Sequence, residues 1–283
     1  MERDFQEALV ARQIATNSLV CVGLDSNTRE IPEDRRRWNC DDSGKVLNSF
    51  QTIVHFNRFI TEATCDIASA YKLNLAFYIE HGCDGMRALE VSVRDISSIA
   101  PETPIILDGK FADIDNTNNG YASFAFDLLK VDAITVHPYL GGRALKPFSD
   151  RKNKGVFVLC KTSNDGSEEF QDQSVMTPAE MPFDLPLYQY VAHQVNNYWP
   201  ENYGLVVGAT YPEELEEIRK IVPGRLILAP GIGAQGGDVE QTMKAGIDSE
   251  GRGLLINSSR AIIFDKNPRG KAIELRNQTN QYR

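Results

Sequence analysis

PIILDGKFADIDNT, residues 104–117, opens as a buried strand and closes as a cluster of charge. Its first half is a short apolar run rich in isoleucine, the length and composition of a strand. Side chains two apart on a strand share a face, so Asp108 and Lys110 point the same way across Gly109, which has no side chain. A second acid, Asp113, follows three residues later. Chemistry gathered where an apolar strand stops suggests a fold whose strand ends form a working surface.

The same design recurs along the chain. Seven further strand-sized runs are SLVCVGLD (18–25), SAYKLN (69–74), AITVHPY (133–139), GVFVLCKTS (155–163), GLVVGAT (204–210), RLILAPGI (225–232) and GLLINSS (253–259). Stretches with apolar residues at three- and four-residue spacing separate them, such as FQTIVHFNRFITEATCDIA and YPEELEEIRKIV; that period is helical. Alternation of strand and helix implies a parallel sheet, and eight such units imply a closed (β/α)8 TIM barrel of the α/β class. A doubly wound open sheet is the second choice. No linker divides the chain, so one domain over 1–283 is expected, with a polar insertion at 26–47. The mouth of such a barrel lies at the C-terminal strand ends. Those positions hold Asp25, Lys72, Asp108, Lys110, His137, Thr162 and Ser163.

Bulk properties narrow the function classes. The 283 residues are 42% hydrophobic, enough for a full core. No apolar run approaches the ~18 residues of a membrane span, and the charged N-terminus lacks a signal-peptide stretch, so a cytoplasmic protein without a membrane partner is expected. With 30 basic against 39 acidic residues the net charge is −9, which opposes nucleic-acid binding. The basic clusters DRRRW (34–38) and DRKNKG (150–155) carry acids with them. Five cysteines without a CxxC pair indicate reduced structural thiols, neither a disulfide framework nor a thiol zinc site.

After the seventh strand comes PGIGAQGGD (230–238), whose glycines let backbone N–H groups approach an anion ahead of a helix start. The eighth exit, NSSRA (257–261), brings Ser259 and Arg260 to the neighbouring lip. An arginine fork there suits a phosphate dianion. Loops seven and eight are the usual phosphate site of this fold.

Taken together, VGLD (22–25), YK (71–72), LDGKFADIDNT, HPYLGGRALKPF, LCKTSN, VVGAT and APGIGAQGG with SSR resemble the orotidine 5′-phosphate decarboxylase family. They run in the family's order from about residue 20 to 260, and PYLGG…LKPF with KTSN resembles its longer bacterial-type (type 2) subgroup. The resemblance implies conversion of OMP to UMP and CO2 in pyrimidine synthesis, without metal or organic cofactor. Lys72, Asp108, Lys110 and Asp113 match the family's catalytic charge network. Asp25 matches the acid that binds the ribose hydroxyls, Ser163 the serine at the pyrimidine edge, and Gln235 and Arg260 the phosphate ligands. Asp113, Ile114 and Thr117 would belong to the neighbouring subunit's site, making a homodimer. This chain departs from the pattern at Gly109, where alanine is commoner, at Phe111-Ala112 in place of Arg-Gly, at Asp115, and at Asp165.

Decarboxylation at the pyrimidine C6 leaves a carbanion in the ring plane. An ammonium such as Lys110 stabilises that charge and carries the proton C6 needs, with Asp108 and Asp113 favouring its charged form. Two rivals use parts of the same pattern. A Mg-dependent sugar-phosphate decarboxylase would share the D-x-K strand but place an acid where Lys72 stands. A non-catalytic phosphometabolite-binding barrel would keep only the phosphate cradle. His137, with no partner at ligand spacing, reads as a mouth or core histidine; Glu80 and His81 read as loop residues.

Overall fold

The computed structural model describes residues 3–36, 48–178, 184–233 and 236–283. Eight parallel strands close into a barrel: β1 (Val20–Gly23), β2 (Ala70–Asn74), β3 (Ile105–Phe111), β4 (Ala133–Val136), β5 (Gly155–Lys161), β6 (Tyr203–Val207), β7 (Ile227–Pro230) and β8 (Leu254–Ser258). Each anticipated run holds one of them. Closure comes from β1 pairing with both β2 and β8, with Cys21 opposite Ala70 on one side and Asn257 on the other. The expected (β/α)8 architecture is therefore present, and a closed ring leaves no unpaired edge.

Closure has a physical origin in the strand sequences. Inward positions low in the barrel are Cys21, Ala70, Ile106, Ala133, Phe157, Leu228 and Leu255, which pack with Phe5 and Leu9 into one apolar cluster. The helix Phe5–Thr16 thus plugs the N-terminal end, its Phe5 ring standing edge-on to Phe157 at 5.8 Å. Asp4 caps this helix by accepting from the Glu7 N–H. Asp132 ties the plug to the sheet, pairing with Arg3 and accepting from the Ile105 N–H. Outward strand faces join the larger cluster under the helices, including Ser49–Thr64, Gly82–Ile99 and Pro212–Ile221.

Two residues beyond the apolar layer, the same strand faces present Gly23, Lys72, Asp108, Thr135, Leu159, Pro230 and Asn257. The character changes within one step along the strands: the barrel is oily below and charged above. That boundary is the floor of the site.

Several local features differ from the expectation. The first part of the 26–47 segment is no free polar loop, because Ile31 is buried and Arg35 bonds to the Ile263 and Lys266 carbonyls while lying over the Phe59 ring. Residues 37–47, which include Cys40, lie outside the described residues. After β5 a two-residue ribbon pairs Ser174–Val175 with Leu185–Pro186, too short for any periodicity to reveal. Cys21 and Cys160 are buried and Cys65 is partly so, as structural thiols would be, but Cys83 is exposed; all four are free. Among the described residues no helix is long and apolar enough to cross a membrane.

Candidate active site

A cavity of about 410 Å³ opens at the C-terminal ends of the strands. Of the anticipated site residues it gathers Asp25, Lys72, Asp108, Lys110, Ser163, Ser259 and Arg260. Gln235 lies outside the described residues. Asp113, Ile114 and Thr117 do not line this cavity, and Ile114 is exposed. His137 and Glu80 do not line it either; His137 sits beside β3 with its N–H on the Phe111 carbonyl.

The charged groups form a continuous chain. Asp25 Oδ1 stands 3.5 Å from Lys72 Nζ, Lys72 Nζ 3.1 Å from Asp108 Oδ2, and Lys110 Nζ 2.8 Å from Asp108 Oδ1. Signs alternate along the row, so each buried charge faces its opposite. Burial resists ionisation of Asp108, but Lys72, Lys110 and hydrogen bonds from Lys110 and Thr135 outweigh it and hold the carboxyl well below the usual range. Burial likewise opposes the Lys72 charge, and Asp25 and Asp108 together overcome it, pushing its pKa up. Both groups are ionised at neutral pH. Beneath them, burial pushes the Cys21 thiol up to about 12, against the pull of Lys72, so it stays protonated.

The backbone sets this row. The β3–β4 ladder runs through Ile106 opposite Ala133 and Leu107 opposite Ile134, then resumes at Phe111 opposite Val136. Three residues of β3 therefore face one of β4, and Lys110 takes a left-handed φ of 46°. Simple alternation is broken by this bulge, yet Lys110 still reaches Asp108 by folding back. Gly109 and Phe111, both departures from the family pattern, explain each other: a Cβ at 109 would lie 2.3 Å from the Phe111 ring, which is buried and packs 5.0 Å from Tyr121.

Opposite the charged wall the cavity is apolar, lined by Leu159, Val206, Leu228, Pro230 and Ile232. Its rim is polar again. The loop after β5 is fastened by Gln171, which accepts from the Thr162 N–H and donates to the Thr162 hydroxyl, each at 2.8 Å. Buried Lys161 pairs with Asp172 in the same loop and lies 4.6 Å over the Tyr211 ring. After β7, Gly231, Gly233 and Gly236 all adopt positive φ, as a tight anion loop requires. At β1, a Cβ on Gly23 would meet Ser259 Oγ at 1.9 Å, so the missing side chain lets the β8 exit close in. Arg260 is exposed on that lip and makes no ion pair with a described residue.

Asp113 is turned within its own chain, its Oδ1 accepting from the Ile114 N–H at 2.6 Å. Asn118 fixes the segment by bonding the Asp113 N–H, the Asp113 carbonyl and the Ala144 carbonyl. Asn74, Thr135, Asn164, Gln171 and Asn257 also line the cavity and were not anticipated. For Asn74 and Thr135 a signal existed, since each holds an inward position on its strand. Gln171 reaches the site only through a loop whose course no spacing dictates. Asp25 Oδ1 and Asn257 Oδ1 are buried and receive no hydrogen bond from a described residue.

Known proteins bear the same stamp. Residues 18–275 match the family described as orotidine 5′-phosphate decarboxylase / HUMPS. An orotidine 5′-phosphate decarboxylase of Thermomicrobium roseum is 44% identical over 262 residues, 92% of this chain and 86% of that one. Among solved structures, the OMP decarboxylase of Leishmania donovani superimposes with a TM-score of 0.81 at 33% identity, covering 99% of this chain and 98% of that chain. The Leishmania donovani UMP synthase gives 0.85 at 35% identity over 99% of this chain, which spans 57% of that longer protein.

Proposed function

The chain belongs to the orotidine 5′-phosphate decarboxylase / HUMPS family, and from that premise we infer that it is a carboxy-lyase converting OMP to UMP and CO2. The observation that carries this reading is the alternating row Asp25–Lys72–Asp108–Lys110 on the cavity wall. Such a row offers a cation, Lys110, held beside a buried anion, Asp108, at the mouth of the cavity.

In the proposed reaction the bond from C6 to the carboxylate breaks and its electron pair stays on C6. The Lys110 ammonium stabilises that pair and transfers a proton to it, forming the C6–H bond. Asp108 stays ionised and holds Lys110 in place. It also faces the departing carboxylate: like charges ~4 Å apart repel by roughly 4 kcal/mol at an effective dielectric near 20, and loss of CO2 relieves that. The uncharged product can be received by the apolar wall of Leu159, Val206 and Pro230. Binding energy from the distant phosphate would help only where it tightens the site around the reacting ring.

The substrate is read as spanning the mouth. The phosphate would sit on Arg260, Ser259 and the glycine loop that includes Gln235. Ribose hydroxyls would donate to Asp25, which lines the cavity, and Ser163 would meet the pyrimidine edge. Asp113, Ile114 and Thr117 are assigned to a twin chain's cavity in a homodimer. Support comes from their not lining their own cavity and from exposed Ile114, Tyr121, Tyr139 and Leu140 on adjoining elements. One closed barrel supports a single domain; the type 2 subgroup and a cytoplasmic setting belong to the same proposal.

The Mg-dependent sugar enzyme is the weaker reading. Asp25 and Asp108 already share a resident cation in Lys72, where a divalent ion would have to bind. A phosphate sensor has no use for Lys110. The deciding experiment incubates purified protein with OMP in EDTA and follows the fall in absorbance. Turnover that survives EDTA supports decarboxylation of OMP; no fall in absorbance counts against it, and Mg-dependent decarboxylation of a sugar phosphate would then favour the sugar enzyme over the sensor.

A further inference from the structure

We propose that Thr135 is the positioning residue of this site, its buried hydroxyl locking Asp108 and Lys110 into a single arrangement. The inference rests on the decarboxylase reading for its kinetic consequence, and on geometry alone for the lock itself.

The bulge in β3 creates the need. With three β3 residues facing Thr135, the Lys110 N–H is taken out of the strand ladder, and its φ of 46° lies where a residue with a Cβ pays a steric penalty. An N–H left unpaired there would add the cost of a lost hydrogen bond. Thr135 Oγ1 accepts that N–H at 3.0 Å. The same hydroxyl donates its own proton to Asp108 Oδ1 at 2.7 Å. Lys110 Nζ returns to that oxygen at 2.8 Å, closing a ring through backbone, hydroxyl, carboxylate and ammonium.

The direction of every hydrogen bond in this ring is fixed. The Lys110 N–H can only donate and the ionised Asp108 can only accept, so Oγ1 accepts from the one and gives its single proton to the other. Asp108 Oδ1 is thereby committed to Thr135 and Lys110, and Oδ2 is left to Lys72. Thr135 is 1% exposed, so water cannot readily replace it. Without the hydroxyl the ammonium and carboxylate would remain, but the left-handed turn that aims them would lose its tie.

Thr135→Val keeps the shape and deletes the hydroxyl; Thr135→Ser keeps the hydroxyl and deletes the methyl. For OMP turnover, Thr135→Val should lower kcat by about 10- to 100-fold, the scale of one hydrogen bond to a charged group, with KM changed less than about threefold. Thr135→Ser should stay within about threefold of the parent. By NMR, hydrogen exchange at the Lys110 amide should accelerate in Thr135→Val and not in Thr135→Ser. Parent-like kcat in Thr135→Val, a loss confined to KM, or an unchanged Lys110 amide would overturn the proposal. So would a Thr135→Ser variant that fails while Thr135→Val works. If Thr135→Val does not fold, parent-like kcat and amide protection in Thr135→Ser support the lock, and their loss overturns it. A parent protein that does not decarboxylate OMP sinks the functional reading instead, and the amide exchange still decides the lock.

Discussion

Lys72→Met is the perturbation whose size the structure fixes best. The lysine is 3% exposed and stands 3.1 Å from Asp108 and 3.5 Å from Asp25. Each contact corresponds to roughly 5 kcal/mol of attraction at an effective dielectric near 20, and the desolvation of three charges offsets much of it. Methionine fills a similar volume but leaves two carboxylates without their shared cation. Breaking a buried pair in this way costs about 3–5 kcal/mol. The pH dependence has a definite sign. In the parent protein the depressed pKa of Asp108 contributes stability that is present above the ordinary carboxylate pKa and lost as pH falls toward its lower folded value. In the variant that depression shrinks, because the charge of Lys72 is its largest favourable cause, and the orphaned acids take up protons more readily. The stability gap between the two proteins should therefore be widest near pH 7 and narrow on acidification through the carboxylate range. Urea unfolding at pH 7 and at about pH 4.5, with matched m-values, measures it. A gap below about 1 kcal/mol at pH 7, or one that widens in acid, would refute the reasoning.

Three further outcomes follow from single contacts. Gly109→Ala should cost about 1–3 kcal/mol, because the new methyl meets the Phe111 ring, and much less in a Phe111→Leu background; a thermal double-mutant cycle reads the coupling. Arg260→Ala should weaken UMP binding by about 10- to 100-fold in calorimetry while leaving uridine unaffected; equal losses would move the phosphate elsewhere. Mixing inactive Lys110→Ala and Asp113→Ala chains should restore about a quarter of the parent sites, since hybrid dimers rebuild one complete site each; no recovery would remove Asp113 from the partner's site.

Much of the fold was legible because its determinants are local. Each strand is a short apolar run closed by polar residues, and eight such runs separated by helical periodicity leave few architectures. The site was legible where it follows strand alternation, as with Asp25, Lys72 and Asp108. It was less so at Lys110, whose direction depends on a bulge rather than on simple alternation, and at Thr135, which becomes significant only once that bulge frees a backbone N–H. Gln171 and the Lys161–Asp172 pair depend on how a loop folds back, and Ser174–Val175 pairs with Leu185–Pro186 without any periodic signal. The departures at Gly109 and Phe111 looked independent in the sequence and proved to be one packing solution.

The central claim is that Lys110 stabilises and protonates the carbanion left at C6. Its most direct test is OMP turnover by Lys110→Ala beside the parent protein, with circular dichroism confirming the fold. Loss of both electrostatic support and the proton donor predicts a fall in kcat of at least about 10⁴-fold with the fold intact. A Lys110→Ala protein within about tenfold of the parent rate would contradict the account.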